Sequence, residues 1–116
     1  MSLPHQDDVK IAVIGLGYVG LPLSWALSMH YPLTGFDIDA ARISELKQGI
    51  DRTGEMSGEM LQGSRIDFSD DAAELASCNI FIITVPTPVD DHQQPDLSIV
   101  KAACATIAPA LRTGAV

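Results

Sequence analysis

Val9-Lys10-Ile11-Ala12-Val13-Ile14-Gly15-Leu16-Gly17-Tyr18-Val19-Gly20 is the stretch on which the reading of this chain turns. An apolar, strand-like run ends in three glycines spaced G-x-G-x-x-G, and a helix-compatible segment follows. That context gives the spacing its meaning, because glycine-rich turns alone are common. Gly15 permits a tight turn out of the strand, and Gly17 leaves room for a pyrophosphate to approach the backbone. Gly20 lets the new helix pack close to the strand. The helix N-terminus adds unpaired N–H groups and partial positive charge, which favour an anion. The competing reading is a tight turn with no ligand.

Lys10 to Ile14 forms a continuous apolar run, as expected of a strand buried on both faces of a parallel sheet. Tyr18 to about His30 suggests a helix, with Pro22 near its first turn, where a missing N–H does least harm. Trp25 is expected to pack in the core. Leu33 to Asp37 reads as the second strand. Asp37 stands at its carboxyl end, about 20 residues past the glycine turn, the spacing of the acidic residue that accepts hydrogen bonds from an adenine-ribose diol. A carboxylate there repels a 2′-phosphate and so favours NAD over NADP. A turn residue or helix cap is the alternative for Asp37.

Asp39 is placed to cap a helix over Ala40 to Gln48, with Gly49 as its stop. Arg42 falls in the first turn of that helix, where the dipole disfavours a cation. Lying over an adenosine and standing as a solvated surface arginine are both open for it. Gly49 to Ser64 is polar and glycine-rich, with room for a short helix near Gly58 to Gln62. Its acidic balance makes it a poor phosphate cradle, so it reads as a surface connection, though it is long enough to be a functional loop.

Arg65 to Ser69 reads as a third strand and Asp70 to Ala76 as a short helix with acidic residues in its first turn. Asn79 to Val85 is the most strongly apolar strand, expected to be buried, and it stops at Pro86-Thr87-Pro88. Open α/β sheets bind ligands at the carboxyl ends of their strands, so this stiff loop is a candidate to hold Thr87 against a cofactor. The lone His92 is expected to be solvent-exposed. A last helix spans about Leu97 to Leu111, with Asp96 or Ser98 as cap and Pro109 weakening its end. Gly114-Ala115-Val116 resembles the beginning of another strand.

These elements predict an α/β fold: a Rossmann-type, doubly wound parallel sheet in the order 3-2-1-4, with a fifth strand just starting. Residues 1–8 are expected to be a disordered N-terminal segment or a cloning remnant. Residues 9–116 form the domain, expected to be part of a longer enzyme.

Composition narrows the partners. Of the 116 residues, 47% are hydrophobic and 19% charged, as in ordinary soluble globular proteins. A net charge of −8 argues against nucleic-acid or anionic-membrane partners, while leaving room for a local anion site built from backbone N–H groups. No stretch approaches the roughly 18 consecutive apolar residues of a membrane span. The polar, acidic start is unlike a secretory signal, so a cytoplasmic location is expected. Cys78 and Cys104 lack metal-site spacing and lie among alanines and other apolar residues, so both read as buried free thiols and no metal is expected.

Three separated motifs carry a family resemblance. Lys10 to Pro22, Gly35-Phe36-Asp37-Ile38-Asp39 with Arg42-Ile43, and Thr84 to Pro88 followed by Pro95-Asp96-Leu97 resemble the UDP-glucose/GDP-mannose dehydrogenase family. Gly49-Ile50-Asp51-Arg52-Thr53 and the short loop Pro86 to Asp90 look most like the branch acting on UDP-N-acetylhexosamines for capsular (Vi-type) polysaccharide or O-antigen synthesis. The resemblance implies NAD as cofactor and oxidation of a sugar C6 hydroxyl to a carboxylate in two NAD-dependent steps.

Carried over by position, the cofactor contacts are Gly15, Leu16, Gly17, Tyr18, Val19 and Gly20, with Asp37, Arg42 and Thr87. The family's catalytic cysteine and lysine lie further along the whole enzyme. Neither Cys78 nor Cys104 matches that cysteine's motif, so no catalytic residue is expected here. The UDP-sugar is expected to engage downstream domains, and the whole protein to be a homo-oligomer. A nucleotide-sensing module of the same fold, without catalysis, is the competing reading.

Overall fold

The computed structural model describes residues 8–86, 91–94, 96–111 and 115–116. Four parallel strands form one sheet in the order β3-β2-β1-β4. They are β1 (Ile11–Ile14), β2 (Leu33–Phe36), β3 (Ile66–Ser69) and β4 (Ile80–Ile83). The expected order is borne out. Helix α1 (Gly20–Ser28) follows β1, α2 (Ala40–Lys47) follows β2, and α3 (Gly58–Gly63) precedes β3. A 3₁₀ helix (Ala72–Ser77) joins β3 to β4, and α4 (Ser98–Ile107) follows β4.

The pleat sorts β1 into two cores. Ile11 and Val13 face one side, packed with Leu21 of α1, Ile43 and Leu46 of α2, and Leu61 of α3. Ala12 and Ile14 face the other, against Leu75, Ala103 and Ile107. The same alternation runs through β4, where Ile80 and Ile82 join the first cluster and Phe81 and Ile83 the second. All four β1 residues are buried because strands flank it on both sides and helices cover both faces.

Local sequence explains the element ends. The Asp39 carboxylate accepts from the Ala41 and Arg42 N–H groups and so caps α2. At the other end Gly49 takes φ +82°, with Gly49 N–H on the Leu46 carbonyl and Ile50 N–H on that of Glu45. These two bonds make a Schellman stop. Helix α4 ends at Ile107, short of the expected Leu111. Pro109 lacks an N–H, and the chain tightens into a 3₁₀ turn over Ala108–Ala110. In α1, Ser24 Oγ donates to the Gly20 carbonyl at 2.6 Å, which satisfies a fully buried hydroxyl.

Two expectations are corrected. β4 is half-buried along its whole length, because only Val116 lies beside its outer edge among the described residues. Val116 N–H donates to the Asn79 carbonyl, and Phe81 N–H to that of Val116, at 2.8 and 2.7 Å. These are the bonds of a parallel bridge, the start of the fifth strand that the sequence suggests. Cys78 is buried as expected, but Cys104 is exposed. It lies off the Ala103–Ile107 stripe by which α4 meets the sheet, so α4 turns it to solvent.

Among the described residues no helix is long and apolar enough to cross a membrane.

Candidate functional site

The sheet reverses winding between β1 and β4: the chain moves outward from β1 through β2 to β3, then returns to β1's other side. A crevice opens at the carboxyl ends of strands flanking such a point. Here a cleft of about 990 Å³ is lined by the turn from Ile14 to Val19, by 36–39, by Thr84 to Pro86, and by α4. That volume lies at the upper end of small-molecule sites.

The glycines shape its floor in three different ways. Gly15 adopts φ +99°, a left-handed conformation that side chains resist, and its N–H donates to the Phe36 carbonyl at 2.8 Å. A Cβ at Gly20 would collide with the Gly15 carbonyl oxygen and Thr84 Oγ1, so helix and strand meet there only through glycine. A Cβ at Gly17 would meet nothing within 4 Å. Tyr18 and Val19 stand out from the turn, 68% and 67% exposed, at the start of α1. The first N–H groups of a helix have no intrahelical acceptor.

Thr84 clamps this turn. Its hydroxyl donates to the Gly15 carbonyl at 2.7 Å, while its N–H donates to the Ile14 carbonyl at 2.8 Å. The sequence placed Thr84 at the end of a strand and at the head of the Thr84–Pro88 motif, and neither position signalled this support. Thr87, with Pro88, Val89, Asp90 and Pro95, lies outside the described residues.

Asp37 lies beside the turn. Its Oδ2 accepts from Leu16 N–H and its Oδ1 from Asp39 N–H, both at 3.0 Å. The carboxylate is half-buried, lines the cleft and is oriented by the glycine turn itself. Ile38, 76% exposed, extends the rim beside it.

Arg42 is neither solvated nor on the surface; only 4% of it is exposed. Nε and Nη2 donate to the Leu16 carbonyl at 2.9 and 2.5 Å, and Nη1 donates to Asp51 at 2.8 Å. Its side chain braces the glycine turn from beneath and also borders the cleft. The 49–64 segment is correspondingly more than a surface connection. The Asp51 side chain, Met56 and Leu61 are buried in it, while Arg52 and Thr53 reach the cleft wall.

Burial pushes the Asp51 carboxyl up, but hydrogen bonds from Thr53 Oγ1, Arg42 and the Thr53 and Met56 N–H groups outweigh it and lower it to about 2. Arg52 forks onto Glu45, with Nη2 at 3.0 Å and Nε at 3.1 Å, and reaches Asp39 at 3.5 Å. The acidic rim around Asp37 thus carries a counter-ion already held by its own carboxylates.

A parallel sheet, a glycine turn at its winding reversal and an acidic residue closing the second strand define a dinucleotide-binding domain of Rossmann type. The UDP-glucose/GDP-mannose dehydrogenase family, NAD binding domain, matches residues 9–116, and the chain belongs to this family. NAD is therefore the cofactor of this domain.

Among curated relatives, the chain is 46% identical to the UDP-N-acetyl-D-glucosamine 6-dehydrogenase of Pseudomonas aeruginosa and 43% identical to that of Salmonella typhi. These alignments cover 94% and 93% of this chain but only 26% of each relative. The chain thus spans about a quarter of their length. Among solved structures, the UDP-D-ManNAc dehydrogenase of Pyrococcus horikoshii superposes with a TM-score of 0.84 at 32% identity. That match covers 93% of this chain and 27% of the archaeal one.

Proposed function

We propose that this domain is the cofactor half of a cytoplasmic nucleotide-sugar 6-dehydrogenase. The whole protein would oxidise the C6 hydroxyl of a UDP-sugar, a UDP-N-acetylhexosamine or UDP-glucose, to a carboxylate for surface-polysaccharide synthesis. The observation that carries the cofactor site is the pairing of an open Gly17 with an Asp37 that the neighbouring Leu16 N–H orients from the end of β2. The choice of sugar rests on two of the relatives, both UDP-N-acetyl-D-glucosamine 6-dehydrogenases.

Each residue has a defined task in this reading. The backbone N–H groups from Gly17 to Gly20 face a pyrophosphate, with the start of α1 adding favourable charge. Asp37 accepts hydrogen bonds from the adenine-ribose hydroxyls and disfavours a 2′-phosphate. Thr84 and Arg42 hold the turn's carbonyls away from the anion, by hydrogen bonds to Gly15 and Leu16. Ile14, Phe36, Val85, Ile99 and Ala103 give the cleft apolar walls that limit water. Tyr18, Val19 and, outside the described residues, Thr87 complete the contacts. NAD held there supplies the hydride acceptor for each of the two oxidations. Residues that handle the sugar would lie in the rest of the protein, which would assemble as a homo-oligomer.

The test is NADH formation by the whole protein with a panel of UDP-sugars, including the N-acetylglucosamine, N-acetylgalactosamine, N-acetylmannosamine and glucose forms. About two NADH per sugar consumed is expected from a two-step oxidation. Absence of turnover with every sugar would overturn the proposal.

A further inference from the structure

Leu16, between the first two glycines, is held on both sides by charge, half-buried at Asp37 and buried at Arg42. Its N–H meets Asp37 and its carbonyl takes two bonds from the Arg42 guanidinium. The third arm of that guanidinium ends on Asp51, whose side chain is 0% exposed beside 5% for Arg42. Asp51 Oδ1 also accepts from Thr53 N–H at 3.0 Å and Thr53 Oγ1 at 2.7 Å, and its Oδ2 from Met56 N–H at 2.9 Å. The carboxylate is therefore fixed before it meets Arg42. Nothing in the glycine motif calls for this acid, which lies 34 residues beyond Gly17 on a different loop.

The consequence follows from peptide geometry. In a trans peptide the C=O and N–H point in opposite directions. Pinning the Leu16 carbonyl onto Arg42 therefore turns the Gly17 N–H away from the protein interior, at the position where a Cβ would meet nothing. A cation on the carbonyl also polarises the peptide and strengthens its N–H as a donor.

We propose that Asp51 is a positioning residue for the pyrophosphate subsite: through Arg42 it sets the Leu16–Gly17 peptide and aims the Gly17 N–H into the cleft. This rests on the cofactor site proposed above and adds a residue outside the motif to it. Arg42 alone would not suffice, since a buried guanidinium without its counter-ion is costly and would seek another partner.

The test uses the 116-residue chain, ¹⁵N-labelled, with Asp51→Asn, which keeps size and an acceptor oxygen but removes the charge. In the ligand-free variant the Gly17 amide resonance is expected to shift, and NAD affinity by calorimetry to fall about tenfold. A Gly17 amide that does not move, or an affinity within about twofold of the parent, overturns the proposal.

Should Asp51→Asn fail to fold, Thr53→Val removes one neutral bond from the carboxylate, and a smaller shift of the same amide is expected. An unmoved amide there is equally contrary. If the parent chain itself fails to bind NAD, the cofactor-site reading falls, while the ligand-free Gly17 amide still judges the role of Asp51.

Discussion

Gly17 and Gly20 are both glycines of one motif, yet a Cβ would meet opposite surroundings at the two positions. Gly20 has no room for a methyl group, whereas Gly17 has nothing but room. Gly20→Ala is expected to destabilise the chain by about 3 kcal/mol or more, because backbone and a clamped hydroxyl block any local adjustment. Gly17→Ala is expected to change stability by less than about 1 kcal/mol while weakening NAD binding, since the methyl occupies ligand space. Thermal melts paired with NAD titrations separate the two; equal destabilisation of both variants would contradict these roles.

Asp37 carries a double load at the same scale. Its replacement by alanine would remove the proposed ribose acceptors and free the Leu16 N–H that the carboxylate holds at 3.0 Å. A loss of about 1–3 kcal/mol in NAD binding is expected by calorimetry, and unchanged affinity would refute the ribose role. The sequence spacing located Asp37 at the carboxyl end of β2. It carried no sign that the residue braces the turn it serves, because that bond joins residues brought together by the sheet.

At the scale of elements, periodicity and capping were readable because they depend on neighbours in the chain. The continuous apolar runs of β1 and β4, the Asp39 cap and the Gly49 stop are all of this kind. The 51–56 loop was not readable, since its organiser is an ion pair between Arg42 and Asp51 with no local pattern. The bland reading of Arg42 and of this loop failed for one shared reason: burial of charge is a tertiary fact.

That pair has a pH signature. The folded carboxyl lies at about 2 against an ordinary 3.8, so its stabilisation is complete above about pH 4 and is lost as pH falls toward 2. Melting temperatures from about pH 5 to 2 are expected to fall more steeply for the parent than for Asp51→Asn. Parallel slopes would mean that Asp51 titrates normally.

Helix α4 offers a simpler check. Cys104 is exposed and Cys78 buried, so a thiol reagent is expected to modify one cysteine in the folded chain and both after denaturation. The expectation that both would be buried came from their apolar neighbours in sequence. On a helix those neighbours occupy other faces, so adjacency says little about burial.

For the whole molecule, topology makes the site. β1 is central, β4 lies on its far side from β2, and the glycine turn and Thr84 leave adjacent strands at the same end. The strand order and two-sided core followed from the βα alternation together with handedness rules. The partial exposure of β4 did not, because hydrophobicity cannot distinguish an edge strand from a central one. The NAD binding domain match over 9–116 accords with this architecture.

The most direct measurement is a calorimetric titration of the 116-residue chain with NAD and, separately, with NADP. One NAD is expected to bind per chain, with NADP at least about tenfold weaker because in the proposed site its 2′-phosphate would face the Asp37 carboxylate. Equal affinity for both cofactors, or no binding of NAD at all, would contradict the site described here.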